Sequence, residues 1–274
     1  MIKFMTNNSL IALIRTTTLL WVMLLVPVHA LGGMLIGSGF EDRMYSIDPT
    51  TGQATFIGNN LVNGNGKGLA YDAKNDVLFG ISTSLTDLYT VDITSGAWTE
   101  VGGNFSSPTF PALTYNINDE TLYGAEHGPQ ELFSIDPLTG QRTSIGSTSQ
   151  RISGLAYDAI SDTLYGAGGD NNLYDIDMGT GALTMIGALG VNAFNVGLAY
   201  DYDTGTLYLN SQSTRSLYSV NTDTGLANLL GANLTGSDSI NGLTYIGTPV
   251  PAPGTLMLML SGLFASMLLR MRRS

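Results

Sequence analysis

Chemistry has few places to reside in this chain. There is no cysteine, and the two histidines are His29 and His127. Without cysteine there are no disulfides and no thiolate zinc sites. Nucleophilic catalysis of the Ser–His–Asp kind needs a histidine held between nucleophile and acid. His29 lies in a segment expected to be removed. That leaves His127, in Gly124-Ala-Glu-His-Gly-Pro129, and a single loop histidine reads first as a surface residue. A histidine metal cluster is excluded by count. What remains is carboxylate-pair chemistry of the kind that acts on glycosidic bonds. Most of the 22 acidic residues recur at matched positions of a repeat, whereas a catalytic acid should break it. Glu126 and Asp170 meet that condition best.

The elements that would position such residues are written in the repeat. One pattern runs Met44-Tyr-Ser-Ile-Asp-Pro-Thr-Thr-Gly52 and returns from Leu88, Leu132, Leu173 and Leu217, at spacings of 44, 44, 41 and 44 residues. A second interleaves with it: Gly68-Leu-Ala-Tyr-Asp72, then from Ala112, Gly154, Gly197 and Gly242. Each period holds four short β-type runs between turns, with no helical periodicity. The turns have a mechanism: Asp accepts backbone N–H groups, Pro presets φ, and Gly supplies the left-handed residue. Asp48, Asp92, Asp136, Asp177, Asp72, Asp158 and Asp201 are therefore turn residues first. Four strands in about 40 to 45 residues is a propeller blade.

The phase of the repeat predicts how the ring closes. The first unit lacks its first strand, and the chain carries an orphan first strand at Gly242 to Ile246. Four complete blades, three N-terminal strands and one C-terminal strand give an all-β, five-bladed β-propeller with three-plus-one closure, which removes open sheet edges at the seam. A non-closing solenoid is the rival, and it would show capping repeats instead. The recurring tyrosines (Tyr71, Tyr89, Tyr115, Tyr123, Tyr157, Tyr174, Tyr200, Tyr218) should fill the space between blades, their hydroxyls reaching backbone or solvent.

In such a ring the first–second and third–fourth strand turns share one face, which repeats here. The other loops share the opposite face and vary. They offer Asn, Ser, Gln, a few aromatics (Phe105, Phe110, Phe194) and two arginines, a mix suited to hydroxyl-rich ligands such as glycans. The candidate ligand contacts are Lys67, Phe110, Glu126, His127, Arg151, Asp170, Asn171, Asn195 and Arg215. No cofactor is implied.

Charge narrows the partners. All 22 acids lie between Glu41 and Asp238 with only six bases among them, a formal charge of −16. Phosphate neutralisation needs clustered Lys and Arg, so nucleic acid is excluded as a partner. The two ends read as addresses. Lys3 and Arg15 precede the apolar run Leu19 to Val28, and Ala30 is a small residue before a cut at Ala30–Leu31. That is the order of a secretory signal, with a run about half of the roughly 20 residues needed to span a bilayer. At the other end, Val250, Pro251, Ala252, Pro253 and Gly254 precede the apolar segment 255–269 and the basic Arg270, Arg272 and Arg273.

This tail resembles the PEP-CTERM sorting domain, with Ala252 where that family usually has glutamate. The resemblance covers about the last 25 residues. It implies Sec-type export, recognition by an exosortase-type membrane enzyme, cleavage near the motif, and release or surface attachment in a Gram-negative bacterium that makes extracellular polysaccharide. The alternative is an ordinary tail anchor. The expected organisation is a signal peptide (1–30), a propeller (31–247) and a sorting tail (248–274) with a transmembrane helix at 255–269. The expected function is an exported, non-enzymatic binder of extracellular polysaccharide or matrix components. The alternatives are a carboxylate-dependent glycan hydrolase or lyase on the same scaffold, and a structural spacer without a ligand. Oligomeric state is not legible.

Overall fold

The computed structural model describes residues 33–39, 41, 43–59, 66–82, 87–103, 112–233 and 239–247. The signal segment, the cut at Ala30–Leu31, the sorting tail and Phe110 lie outside the described residues. Among those described there is no helix long and apolar enough to cross a membrane.

The described residues form five four-stranded antiparallel sheets. Blade 1 joins β1 (Met34–Gly39), β2 (Arg43–Ile47) and β3 (Ala54–Asn59) to the last described strand, β20 (Ile240–Ile246), in the order β20-β1-β2-β3. Blade 2 is β4 (Gly66–Asp72), β5 (Val77–Ser82), β6 (Asp87–Val91) and β7 (Trp98–Gly103). Blade 3 is β8 (Ala112–Asn116), β9 (Thr121–Glu126), β10 (Glu131–Ile135) and β11 (Arg142–Ser147). Blade 4 is β12 (Ile152–Asp158), β13 (Thr163–Gly168), β14 (Asn172–Ile176) and β15 (Leu183–Ala188). Blade 5 is β16 (Val196–Asp201), β17 (Thr206–Ser211), β18 (Ser216–Val220) and β19 (Ala227–Ala232). The three-plus-one seam is thus present: Leu35 pairs Tyr245 on one side and Ile47 on the other. The first strands β4, β8, β12, β16 and β20 each touch the next, and β20 touches β4, so the ring is closed.

The core divides into five apolar clusters, one per blade interface. Leu122 and Phe133 of blade 3 pack with Phe79 and Leu88 of blade 2. Leu35 and Tyr245 of blade 1 pack with Tyr208 and Leu217 of blade 5. The strand alternation explains this, because successive side chains point to opposite sheet faces and therefore to the two neighbouring blades.

Backbone contacts lock the outer rim. Each outermost strand carries a bulge opposite the Leu–Tyr (or Met–Tyr, Leu–Phe) pair of the third strand, as at Met44/Tyr45 and Leu217/Tyr218, and a glycine follows it. That glycine lies against the turn of the next blade. A Cβ on Gly187 would sit 2.1 Å from the Thr224 carbonyl oxygen, and one on Gly231 would sit 2.0 Å from that of Thr51, across the seam. The turn glycines Gly52 and Gly225, at φ of +74° and +79°, complete these contacts.

The turns work as read. The Asp48 carboxylate accepts the Thr50 and Thr51 amides, at 2.7 and 3.3 Å. Asp92 does the same with Thr94 and Ser95, and Asn221 replaces the carboxylate in blade 5, accepting Asp223 and Thr224. The tyrosines require a correction. They do line the blade interfaces, but several hydroxyls donate to turn carboxylates rather than to backbone or solvent: Tyr71 to Asp76 at 2.7 Å, Tyr123 to Asp119 at 2.9 Å and Tyr174 to Asp170 at 2.6 Å. The reason is geometric, since each of these strand tyrosines stands four or five residues from the acid of an adjoining turn.

Two outcomes follow from this architecture. Gly231→Ala drives a methyl group into backbone and should lower unfolding free energy by about 1–3 kcal/mol in urea titration. Gly179→Ala, whose Cβ would meet nothing closer than 3.4 Å, should leave the midpoint in place. The turn aspartates set the acid limit. Hydrogen bonds from Thr50 and Thr94 hold Asp48 and Asp92 below the ordinary 3.8, Asp92 at about 2. A folded value below the unfolded one means a contribution complete above the unfolded value and lost as pH falls through the folded one. The urea midpoint should therefore drop between about pH 4 and pH 2, and Asp92→Asn, which copies Asn221, should make that drop shallower.

Candidate functional site

The variable loops gather on the face opposite the repeated turns. Arg151 immediately precedes β12 and Asn195 immediately precedes β16, so both stand at the loop-face ends of neighbouring innermost strands. His127 opens the β9–β10 turn and Gln212 opens the β17–β18 turn. These four side chains are joined across three blades. The Arg151 guanidinium donates from Nε to His127 Nε2 at 2.9 Å, and from one terminal nitrogen to Asn195 Oδ1 at 3.2 Å and to the Phe194 carbonyl at 3.0 Å. The Asn195 amide then donates to Gln212 Oε1 at 2.6 Å.

Arg151 also lies over the Phe194 ring, 3.7 Å from its centroid. Phe194 remains 53 % exposed, so its other surface is open to solvent. Burial lowers the Arg151 pKa from its ordinary value. The loop that carries Phe194 is tied from three sides. The Asn171 carboxamide oxygen accepts the Ala193 amide at 2.8 Å, Ser153 Oγ donates to the Phe194 carbonyl at 2.8 Å, and Ser211 Oγ donates to the Asn192 carbonyl at 3.1 Å. A planar, fixed aromatic and cation pair with amides around it is a preorganised polar-aromatic surface.

Of the expected ligand contacts, His127, Arg151, Asn171 and Asn195 thus meet around one loop, 189–195. The others are placed elsewhere. Glu126 is only 2 % exposed and pairs with Arg142 at 2.7 Å, with Arg142 also 4.7 Å over the Phe133 ring. Asp170 accepts Tyr174 and the Asn172 amide within its own turn. Burial pushes the Asp170 carboxyl up, but these hydrogen bonds outweigh it and leave it below the ordinary value. A general acid on a glycosidic oxygen needs the opposite displacement. Arg215 holds a left-handed turn position (φ +51°), and its carbonyl accepts the Asn233 amide at 2.8 Å. Lys67 lies in β4, and its side chain is outside the described residues. Gln212, Ser153, Asn192 and Ser211 complete the site and were not singled out from sequence. Their only signal was membership of, or adjacency to, the variable loops.

Arg151→Lys cannot reproduce the forked hydrogen bonds or the stacking. It should cost about 1–2 kcal/mol and speed amide hydrogen exchange across residues 192–195 in mass spectrometry. Unchanged exchange would mean that Arg151 does not hold the loop.

Comparison with known proteins supports the fold and is silent on chemistry. Residues 127–239 match the family described as a repeat of unknown function (DUF6923). No curated protein matches. Among solved structures, a chain from a nidogen/laminin complex superposes with a TM-score of 0.60 at 12 % identity, over 80 % of this chain and 100 % of that one. A structural genomics protein of unknown function from Bacteroides thetaiotaomicron aligns with a TM-score of 0.47 at 16 % identity, over 74 % of this chain and 57 % of that one. At these identities the likeness concerns the fold alone.

Proposed function

We propose that this chain is an exported, non-enzymatic β-propeller that binds extracellular polysaccharide through its loop face. The carrying observation is the Arg151–Phe194 stack, framed by His127 of blade 3 and by Asn195 and Gln212 of blade 5. An exposed aromatic face beside fixed amides matches the alternating apolar and hydroxylated surfaces of a sugar ring. The two best acids for hydrolysis are occupied by Arg142 and by Tyr174, which favours binding over catalysis.

The export reading rests on the two ends of the sequence, with the Sec machinery and an exosortase-type enzyme as processing partners. The ring adds a geometric point. The described chain enters β1 at Gly33 and leaves β20 at Gly247, both at the repeated-turn face. A tether at residues 248–274 would hold that face toward the membrane and turn the loop face outward, where a matrix polymer would meet it.

The test applies the purified protein to immobilised bacterial extracellular polysaccharides, alongside mass spectrometry of the native protein's two ends. Phe194→Ala and Asn195→Ala should each weaken binding about tenfold, near 1.4 kcal/mol, while Lys74→Ala on the opposite face should not. Equal binding by all variants would remove the loop face from the proposal. Native termini upstream of Leu31 and at Ser274 would remove the processing.

A further inference from the structure

The opposite end of the axis carries a concavity. It is walled by Tyr71, Tyr115, Tyr157, Tyr200 and Tyr245, one from each innermost strand, with Tyr202 beside them. Leu69, Leu155, Leu198 and Leu243 line it as well, with Thr114 and Thr244 among them. Tyr202 meets Tyr245 edge to face at 5.4 Å. Three of the wall hydroxyls donate outward to turn carboxylates: Tyr71 to Asp76 at 2.7 Å, Tyr157 to Asp162 at 2.5 Å and Tyr245 to Asp203 at 2.8 Å.

The charge around this mouth is one-sided. The turns 72–76, 116–120, 158–162 and 201–205 together hold eight acids and one base, Lys74, and that base is paired with Glu120. Low-dielectric walls under a rim of one sign focus the field and concentrate counter-ions.

From the tyrosine-rich, largely apolar lining and the acidic rim together we infer that this cavity binds an organic ammonium ion. Each part argues for that class. Rings attract a cation through the quadrupole at their faces. A phenol that donates its proton to a carboxylate holds a more electron-rich ring. The leucines of the lining suit alkyl substituents on nitrogen. A hard metal ion is disfavoured because it needs free oxygen ligands, and these carboxylates already accept tyrosine hydroxyls, turn amides at Asp72, Asp158 and Asp201, or the Lys74 ammonium at Glu120. A neutral sugar gains nothing from the field.

The probe is choline, with 3,3-dimethyl-1-butanol as its uncharged isostere, titrated into the full chain and followed by calorimetry. Choline should saturate one site and bind at least about tenfold tighter than the alcohol, in keeping with a desolvated cation–π contact. Added sodium chloride should weaken it. Tyr157→Phe keeps the ring and should stay within about twofold, whereas Tyr157→Leu should lose most of the affinity. If the leucine variant fails to fold, the exposed pair Asp162→Asn with Asp203→Asn decides, with a loss of about fivefold or more expected from the weakened field. Absence of saturable choline binding, equal affinity for the alcohol, or full affinity in the charge variant would each overturn the inference. Because the cavity is at the face opposite Phe194, none of these results bears on polysaccharide binding.

Discussion

Around the ring, a glycine on an outermost strand lies directly against the Thr-Gly or Ser-Gly of the next blade's turn, with no room for a Cβ between them. Gly58 meets Ser95, Gly146 meets Thr180, Gly187 meets Thr224, and Gly231 returns to Thr51. The contact is backbone to backbone, so it sets the spacing of the blades more tightly than side-chain packing alone, which repacks at modest cost. It depends on two local features. The bulge before the glycine turns the strand toward its neighbour, and the aspartate-capped turn presents the left-handed glycine that receives it. Because the innermost strands belong to the same sheets, the rim contact also fixes where β12 and β16 begin, and hence where Arg151 and Asn195 stand.

The two faces of the disc then answer to different constraints. On the repeated face, each turn is solved locally by an aspartate or asparagine that caps its own amides. On the loop face, the solutions are not local. Arg151 bonds residues 24 and 44 positions away, and the amide of Asn195 reaches Gln212, 17 positions on. One guanidinium serves as the common partner of a histidine, a carboxamide, a carbonyl and an aromatic ring. This is an arrangement for holding loops of unequal length in one shape, and it leaves one face of Phe194 open.

The difference explains what could be read in advance. The blade count, the strand order and the three-plus-one seam follow from a period of about 44 residues and from turn chemistry that operates within five residues. The capping aspartates were legible for the same reason. The tyrosine hydroxyls were read incompletely, because their acceptors lie on turns whose folded proximity to the strand is a matter of register. Glu126 stood out as a repeat-breaking acid beside the histidine, yet its neighbour in space is Arg142, 16 residues on and at a different strand position. Gln212 carried no mark beyond its loop. Breaking the repeat identifies a residue as special without saying whether the special demand is a ligand or an ion pair.

Charge placement joins these observations. The acids that looked like a property of the whole chain concentrate where the repeat needs turn caps, on one face. The other face mixes signs, with Glu126, Glu131 and Asp170 beside Arg151, Arg215 and His127. The fifth position in that acidic ring is vacated by the seam: blade 1 has no turn between β20 and β1, only the ends marked by Gly247 and Gly33. The closure that removes an exposed sheet edge thus also makes the acidic ring asymmetric: Tyr71 and Tyr157 find their carboxylates in their own blades, whereas Tyr245 of blade 1 takes Asp203 from the β16–β17 turn of blade 5.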